Sequence, residues 1–415
     1  MEFKLLPVII LFLVFIAISI RQIGRIKLEI WLIMLIGSVL VLITGQISIF
    51  DAIKSINLDV ILFLFGMFIV GEALQKSGYL YHISYMAFNR AKSVDTLVLL
   101  ILFVTGLLSA FLMNDTLAII GTSLVLYFAK THKISPKLLL ITLAFSVTIG
   151  SVTSPIGNPQ NLLIAINGNI KNPFVSFFKY LFIPTIINFF VTYLILKLFY
   201  KKEFHKTELD HSKEDIIDKN LANLSKISLI IIIILIFLKI IIVFLKINFE
   251  LNLVYIALIA ALPIILFSKK RFEIVKHIDW KTLIFFASMF IVMQSVWNSN
   301  FFQYLINKFN LQIKSISTIF TLSIILSQFI SNVPFVALFI PLINNIGGGI
   351  KEMIALAVGS TIAGNLLILG AASNIIIIQN AEKQGQTITF FEFAKVGIPV
   401  TIANSLVYWM FLKIF

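Results

Sequence analysis

Apolar runs of about 17–25 residues, long enough to cross a hydrocarbon layer as helix, follow one another along nearly the whole chain. Four of the apolar segments break off partway at a few polar residues. Leu5–Ile20, Leu28–Thr44, Leu58–Leu74 and Phe177–Tyr200 are continuous. So are Ile227–Leu245, Leu251–Phe267, Thr282–Val296 and Ile388–Leu412. Ser93–Lys130 is interrupted at Met113-Asn114-Asp115-Thr116, and Leu138–Ile166 at Ser154-Pro155-Ile156-Gly157-Asn158-Pro159. Ser315–Ile346 is interrupted at Ser331-Asn332-Val333-Pro334, and Met353–Asn380 around Gly370-Ala371-Ala372-Ser373-Asn374.

Of the 415 residues, 59% are hydrophobic and 13% charged. A soluble domain carries about a quarter charged residues, so the solvent around the middle of this fold is lipid. The expected fold is an all-α integral membrane protein, because helices of this length satisfy their own backbone in hydrocarbon. With no cysteine, disulfides, thiolate metal sites and cysteine nucleophiles are excluded. His82, His132, His205, His211 and His277 all fall in or beside polar connections, which does not suit a metal centre within the membrane. The net charge of +14 reads as basic loops facing anionic lipid rather than as a nucleic-acid surface. The first run, flanked by the single basic residue Lys4 balanced by Glu2 and followed by no small-residue cleavage site after Ile20, reads as a retained span rather than a cleaved leader.

The order of runs repeats. Met67-Phe68-Ile69-Val70 matches Met289-Phe290-Ile291-Val292. Ser109, Phe111 and Asn114 match Ser327, Phe329 and Asn332 at a spacing of 218, and Leu143-Ala144, Thr148, Gly157 and Asn161 match Leu356-Ala357, Thr361, Gly370 and Asn374 at 213. This points to a duplication: a first repeat over 1–200, a polar linker over 201–225 and a second repeat over 226–415. Each repeat would make five crossings plus one re-entrant hairpin, at about 93–130 and 315–346, followed by a broken helix at about 138–166 and 353–380. With both termini outside and the linker in the cytoplasm, Arg21, Arg25, Arg90 and Arg271, all the arginines of the chain, lie inside, as the positive-inside rule requires. Five crossings are odd, so the repeats have inverted topology. The broken helices then meet at the midplane, where a polar site can open to either side.

The chemistry is expected at the interruptions: Asn114, Asp115, Thr116, Ser154, Asn158, Asn161, Ser331, Asn332, Ser373 and Asn374. Pro and Gly free backbone carbonyls and amides there, and short amides and hydroxyls supply oxygen ligands and donors. Helix N-termini attract anions, and C-termini attract cations. Asp115 is the one carboxylate placed near the membrane centre, where a charge is costly and functional by default. It can bind a cation or carry a proton, and Na+ is expected near Asp115, Asn114 and Asn161. Glu72 sits beside Lys76 at the end of its span. Lys239 sits where it can snorkel. No arginine lies within a span, so an anion would have to be held by backbone amides, Ser, Thr and Asn side chains, and a co-bound cation.

Through Ser109, Asn114-Asp115-Thr116, Gly157-Asn158-Pro159-Gln160-Asn161, Ser331-Asn332-Val333-Pro334, Gly370-Ala371-Ala372-Ser373-Asn374 and Ala381-Glu382-Lys383-Gln384-Gly385, the chain resembles the ion transporter superfamily. The arsenite-permease, sodium/proton-antiporter and citrate–metal transporter families are the nearest branches. The resemblance implies a scaffold and a transport domain, sodium or proton coupling, and a homodimer. It carries the solute and ion sites to Asn114, Asp115, Thr116, Asn158, Asn161, Ser331, Asn332, Ser373 and Asn374. The superfamily's sodium/dicarboxylate symporters have Ser-Asn-Thr at both hairpin tips. The tips here are Met113-Asn114-Asp115 and Ser331-Asn332-Val333, and the extra aspartate fits the arsenite and antiporter branches better.

The expected function is secondary active transport of a small anion or oxyanion-type solute, citrate- or arsenite-like, coupled to H+ or Na+ by alternating access in the cell membrane. The alternative is a Na+/H+ antiporter with Asp115 as the exchanging carboxylate. An enzyme is not expected, since no His-Glu-x-x-His or Gly-x-Ser-x-Gly motif occurs, and neither is a cofactor. A phosphate loop is missing too, so any ATP-driven mode would need a soluble ATPase partner, for which Lys201–Asn223 offers a surface.

Overall fold

The computed structural model describes residues 5–20, 22–23, 26–27, 29–79, 82, 88, 91–170, 172–204, 216–245, 247, 251–301, 304, 315–329, 332–345 and 347–415. They are almost entirely helical. α1 (Leu6–Ile20) leads through a two-residue antiparallel pairing of Gln22–Ile23 with Ile26–Lys27 to α2 (Ile30–Ile43), α3 (Ile49–Ser55) and α4 (Leu58–Lys76). α5 (Val94–Leu100) runs through a π-helical turn at Ile101–Thr105 into α6 (Gly106–Leu112). Then come α7 (Asn114–Thr131), α8 (Pro136–Ser151), α9 (Pro159–Asn167) and α10 (Pro173–Phe199). The second half contributes α11 (Lys219–Phe244), α12 (Leu253–Phe267), α13 (Arg271–His277), α14 (Trp280–Asn298), α15 (Ile316–Leu326) and α16 (Asn332–Asn345). α17 (Ile350–Ile362), α18 (Ala372–Lys383) and α19 (Phe390–Ile414) complete it.

Among the described residues, α4, α10, α14 and α19 are long and apolar enough to cross a membrane. The distribution of polarity agrees with a lipid solvent. On α10, Phe178 and Leu198 are 59% and 63% exposed, whereas Asn188 and Thr192 are fully buried. The buried polar groups pair across helices: Thr185 Oγ1 lies 2.6 Å from the Tyr408 hydroxyl on α19, and Asn188 donates to the Asn404 carbonyl at 3.4 Å. In lipid such bonds hold helices together where hydrophobic burial cannot.

The helices sort into two packing layers, each drawn from both halves of the chain. α1, α2 and α4 pack with α11, α12 and α14. α5–α10 pack with α15–α19. Contacts between the layers are sparse. Within the second layer α8 is the central rod, with every residue from Leu138 to Ser151 buried. It meets α5–α6 at closest approach through glycine: a Cβ on Gly150 would fall 1.9 Å from the Gly106 carbonyl oxygen. Ser146 Oγ donates to the Ile101 and Leu102 carbonyls at 3.0 and 2.9 Å, carbonyls that open outward at the π-turn.

The breaks are narrower than the sequence suggests. Between α6 and α7 only Met113 is non-helical. Asn114, Asp115 and Thr116 are already in the first turn of α7, and Asn332, Val333 and Pro334 open α16. The α8–α9 break covers 152–158. In the second half two 3-10 turns, Ala363–Asn365 and Ile368–Gly370, carry α17 towards α18, so Ala372, Ser373 and Asn374 are helical. Asn, Ser, Asp and N1 proline favour helix starts, because their geometry and side chains suit the unpaired first turn. α3 and α13 are short helices with no counterpart among the apolar runs.

Candidate functional site

Met113 joins α6 to α7 with φ 61° and ψ 144°. Beyond it, the Asn114 backbone N–H donates to the Gly157 carbonyl at 2.9 Å, which fastens the start of α7 to the α8–α9 break. Asn114 Oδ1 accepts from the Asp115 backbone N–H at 2.9 Å. Asp115 is itself 6% exposed, and its Oδ1 has no partner among the described residues.

The α8–α9 break is closed by its own amides. Asn158 caps α9, accepting from the Asn161 N–H at 2.8 Å, and its side-chain nitrogen reaches Ser151 Oγ at 3.1 Å and Thr361 Oγ1 at 3.2 Å. Asn161 donates to the Ser151 and Ser154 carbonyls at 3.1 and 3.0 Å and accepts from Thr361 Oγ1 at 3.3 Å. Ser154 Oγ accepts from the Ile156 N–H at 3.2 Å.

The second-half break repeats the frame but not the closure. Asn374 donates to the Gly364 carbonyl, ten residues upstream, at 2.6 Å, as Asn161 does to Ser151. Yet Asn374 Oδ1 and Ser373 Oγ are buried without partners among the described residues. The cap position of α18 is Ala371, which has no capping side chain, so the first N–H groups of α18 lack the cap that Asn158 gives α9.

These elements meet at one small cavity of about 40 Å³. Its polar wall comes from the second layer: Asn114 and Asp115 of α7, Gln160 of α9, Asn332 of α16, and Gly370–Ala372 at the start of α18. The first layer contributes only apolar lining, Val60 of α4 and Phe286, Met289 and Phe290 of α14, while Val333, Leu369 and Ile375 add apolar surface from the second. Four helices therefore begin at the cavity, α7, α9, α16 and α18, and each presents the positive end of its dipole. A water needs roughly 10–15 Å³ of such space, so the cavity accommodates an ion or a few waters in this conformation.

Of the predicted site residues, Asn114, Asp115 and Asn332 line the cavity. Asn158 and Asn161 do not; they and Ser154 hold the first break in shape. Ser373 and Asn374 sit just behind the lining, in the first turn of α18. Thr116 lies in α7, with its side chain outside the described residues, and Ser331 lies outside them altogether. Of the three residues expected to hold Na+, Asn114 and Asp115 are at the cavity and Asn161 is engaged elsewhere. Glu72 pairs with Lys76 at 3.7 Å, and Lys76 with Glu273 at 2.7 Å. Among the described residues no group of three or more histidine or acidic side chains gathers. Gln160, Thr361 and Gln328, whose side-chain nitrogen donates to the Ile324 and Ala363 carbonyls at 3.0 and 2.9 Å, were not among the expected site residues. The spacing of 213 that pairs Thr148 with Thr361 was the available signal.

A model of the citrate transporter family (CitMHS) matches residues 10–351. The chain is 24% identical to the P protein of Mus musculus over 456 residues, which cover 88% of this chain and 55% of that protein. It thus spans about half the length of the P proteins it matches. It is 25% identical to the silicon efflux transporter LSI3 of Oryza sativa subsp. japonica, with 89% of each covered. Among solved structures, the YdaH transporter of Alcanivorax borkumensis aligns at 13% identity with a TM-score of 0.49, covering 98% of this chain and 96% of that one.

Proposed function

This chain belongs to the citrate transporter family, and we propose that it is a secondary active transporter moving a small anion or oxyanion-type solute, citrate- or arsenite-like, by alternating access. That it is a multi-pass membrane transporter and not an enzyme follows from the family and its relatives. The finer reading rests on one observation above all: four helix N-termini converge on one small cavity, and α18 among them has no side-chain cap. Unpaired N–H groups and aligned dipoles are what an anion requires when no arginine is present.

Asp115 is the coupling group. In the resting cavity its carboxylate is the anion that the helix ends balance. A second anion brought into the same space would meet it at short range in a low dielectric. The solute therefore enters together with a proton or cation that neutralises Asp115. The layered packing supports the movement: every polar lining residue belongs to the second layer and α14 offers only apolar ones, so a shift of the second layer carries the solute past α14. The equivalent bonds of Asn161 and Asn374, each to a carbonyl ten residues upstream, support two repeats, 1–200 and 226–415, of inverted topology with hairpins at 93–130 and 315–346. Termini outside and a cytoplasmic 201–225 linker complete this reading.

The test is a proteoliposome assay with an imposed proton or sodium gradient, a trapped pH dye and solutes added singly. Gradient-driven uptake of citrate or arsenite that Asp115→Asn uncouples supports the proposal. Proton movement driven by sodium with no solute present supports the second reading, a Na+/H+ antiporter. The cavity's size, fit for an ion, and the unpaired Asp115 Oδ1 favour that reading.

A further inference from the structure

Among the described residues, three side-chain pairs join the first layer to the second by hydrogen bond or ion pair. Gln75 of α4 accepts from the Ser123 hydroxyl of α7 at 3.3 Å. Thr282 of α14 bonds the side-chain amide of Gln379 on α18. Asp279, at the start of α14, pairs with Lys383 in the last turn of α18 at 3.1 Å. All three lie towards one end of the molecule, where the Ile217 and Asp218 backbone N–H groups of the linker donate to the Ser77 carbonyl at 3.0 and 3.2 Å. We infer that these pairs form a latch that shuts the cavity on the linker side, and that its release frees the second layer to move and opens the cavity there. This inference rests on the transport reading of the cavity and deepens it by naming the contacts that break and re-form in each cycle.

The layers touch differently at the latch and at the cavity. At the latch the contacts are directional, and Thr282, Gln379 and Ser123 are all buried. Ser123 also accepts from Gln384, just past α18, at 3.5 Å. The cavity begins one turn further along α14, at Phe286, and eight residues back along α7, at Asp115. At 1.5 Å per residue these are distances of about 6–12 Å. There the first layer offers only Val60, Phe286, Met289 and Phe290, apolar side chains that lose no hydrogen bond when the opposite wall slides past. A shift of the second layer past α14 therefore breaks polar bonds on the linker side alone.

The ion pair can open because each member is also supported on its own helix. Asp279 is buried and caps α14, accepting from the Thr282 N–H at 3.2 Å and lying 2.7 Å from the Thr282 hydroxyl. The positive end of α14 thus steadies the carboxylate when the lysine leaves. Lys383 stands at the negative end of α18, and its side chain is 40% exposed, so water receives the ammonium. Removing one partner outright is different, because a buried carboxylate without its counter-charge penalises the closed arrangement. Neighbouring ion pairs stay within a layer: Lys281 with Glu29 at 2.7 Å and Lys76 with Glu273 at 2.7 Å in the first, Lys137 with Glu392 in the second.

The chain has no cysteine, so one introduced at the cavity wall reports opening. Full-length Ala372→Cys protein in membrane vesicles is treated with a membrane-impermeant maleimide from the linker side, the side from which Lys202→Cys is labelled, with no solute present. Slow labelling is expected, made at least tenfold faster by adding Lys383→Met or Gln379→Leu. Lys281→Met, which breaks an ion pair within the first layer, should leave the rate unchanged. Elution volume identifies a variant that has not folded, and the other then decides; failure of both to fold would mean that these contacts hold the fold rather than a latch, and overturns the inference. So does fast labelling before either substitution, a rate that neither raises, or an equal rise with Lys281→Met. Gradient-driven uptake of citrate or arsenite separates the two readings. Uptake by a protein whose labelling ignores the latch variants removes the latch and leaves the transporter proposal standing, whereas labelling that responds to them without any solute uptake does the reverse.

Discussion

The side-chain nitrogen of Asn158 donates to the Thr361 hydroxyl across 3.2 Å, and that hydroxyl donates on to Asn161 Oδ1 at 3.3 Å. One hydroxyl from the second half of the chain thus locks the broken helix of the first. Neither end of this bond touches the cavity, yet Gln160, between the two asparagines, lines it.

Thr361→Val keeps the shape and removes the hydroxyl, leaving the Asn158 and Asn161 amides short of partners in a fully buried place. Unpaired buried polar groups cost about 1–3 kcal/mol. Thermal unfolding of the purified variant in detergent should show a loss of that size, and an unchanged melting temperature would refute the role given to Thr361.

Gly150→Ala places a methyl 1.9 Å from the Gly106 carbonyl oxygen, a backbone atom that cannot turn aside. Overpacking costs about 1–3 kcal/mol, occasionally more. At so short a distance the upper part of that range is expected. Size-exclusion chromatography should show little monodisperse protein, and normal yield and elution would mean that α8 and α6 do not cross as described.

Met113→Gly should destabilise the protein less than Met113→Ala does. Both remove a buried side chain, but at φ 61° and ψ 144° a residue with a Cβ is strained, by about 1–3 kcal/mol, and glycine is not. Thermal unfolding of the two purified variants in detergent checks this, and a melting temperature for the glycine variant at or below that of the alanine variant would rule out the strain.

Asp115→Asn keeps the size of the side chain and removes its charge cycle. Gradient-driven accumulation of solute should fall at least tenfold, while exchange of labelled for unlabelled solute across the same liposomes continues. Equal loss of both would mean that Asp115 only shapes the cavity.

Outside the membrane, Asp218 accepts from the Leu221 backbone N–H at 3.0 Å and pairs with Lys270 at 2.9 Å. These contacts, the backbone bond first, hold its carboxyl below its ordinary value near 3.8. A carboxyl lowered by folding stabilises the fold above its unfolded value and ceases to do so as pH falls through the folded one. Asp218→Asn should therefore lower the melting temperature at pH 7 and leave it unchanged near pH 2. A deficit equal at both values would rule out the ionic contribution.

Much of this arrangement was legible because bilayer length and helix-breaking residues act locally. The apolar runs found α4, α10, α14 and α19 to within a few residues, and the four interruptions found the four helix starts at the cavity. The depth of the breaks was not legible: Asn114-Asp115-Thr116 and Ser373-Asn374 look like loop in one dimension and are first-turn helix in three, since the same residues serve both. The roles of Asn158 and Asn161 were also hidden. Which asparagine faces the cavity and which closes a break depends on a hydroxyl some 200 residues away. Gln328, in a run of apolar residues, stands out only once its two carbonyl acceptors are seen.

The apolar wall of the cavity has a bearing on leakage. Phe286, Met289 and Phe290 offer no donor to a carboxylate, so a charged, unaccompanied Asp115 sliding past them would lose its polar surroundings with nothing in return. The effective penalty for stripping an ion in this way is several kcal/mol, enough to make such a stroke hundreds of times rarer than a loaded one. If transport proceeds as proposed, these three side chains of α14 would act as a ratchet's pawl: they would bind nothing and keep the gradient from being short-circuited by an empty carrier.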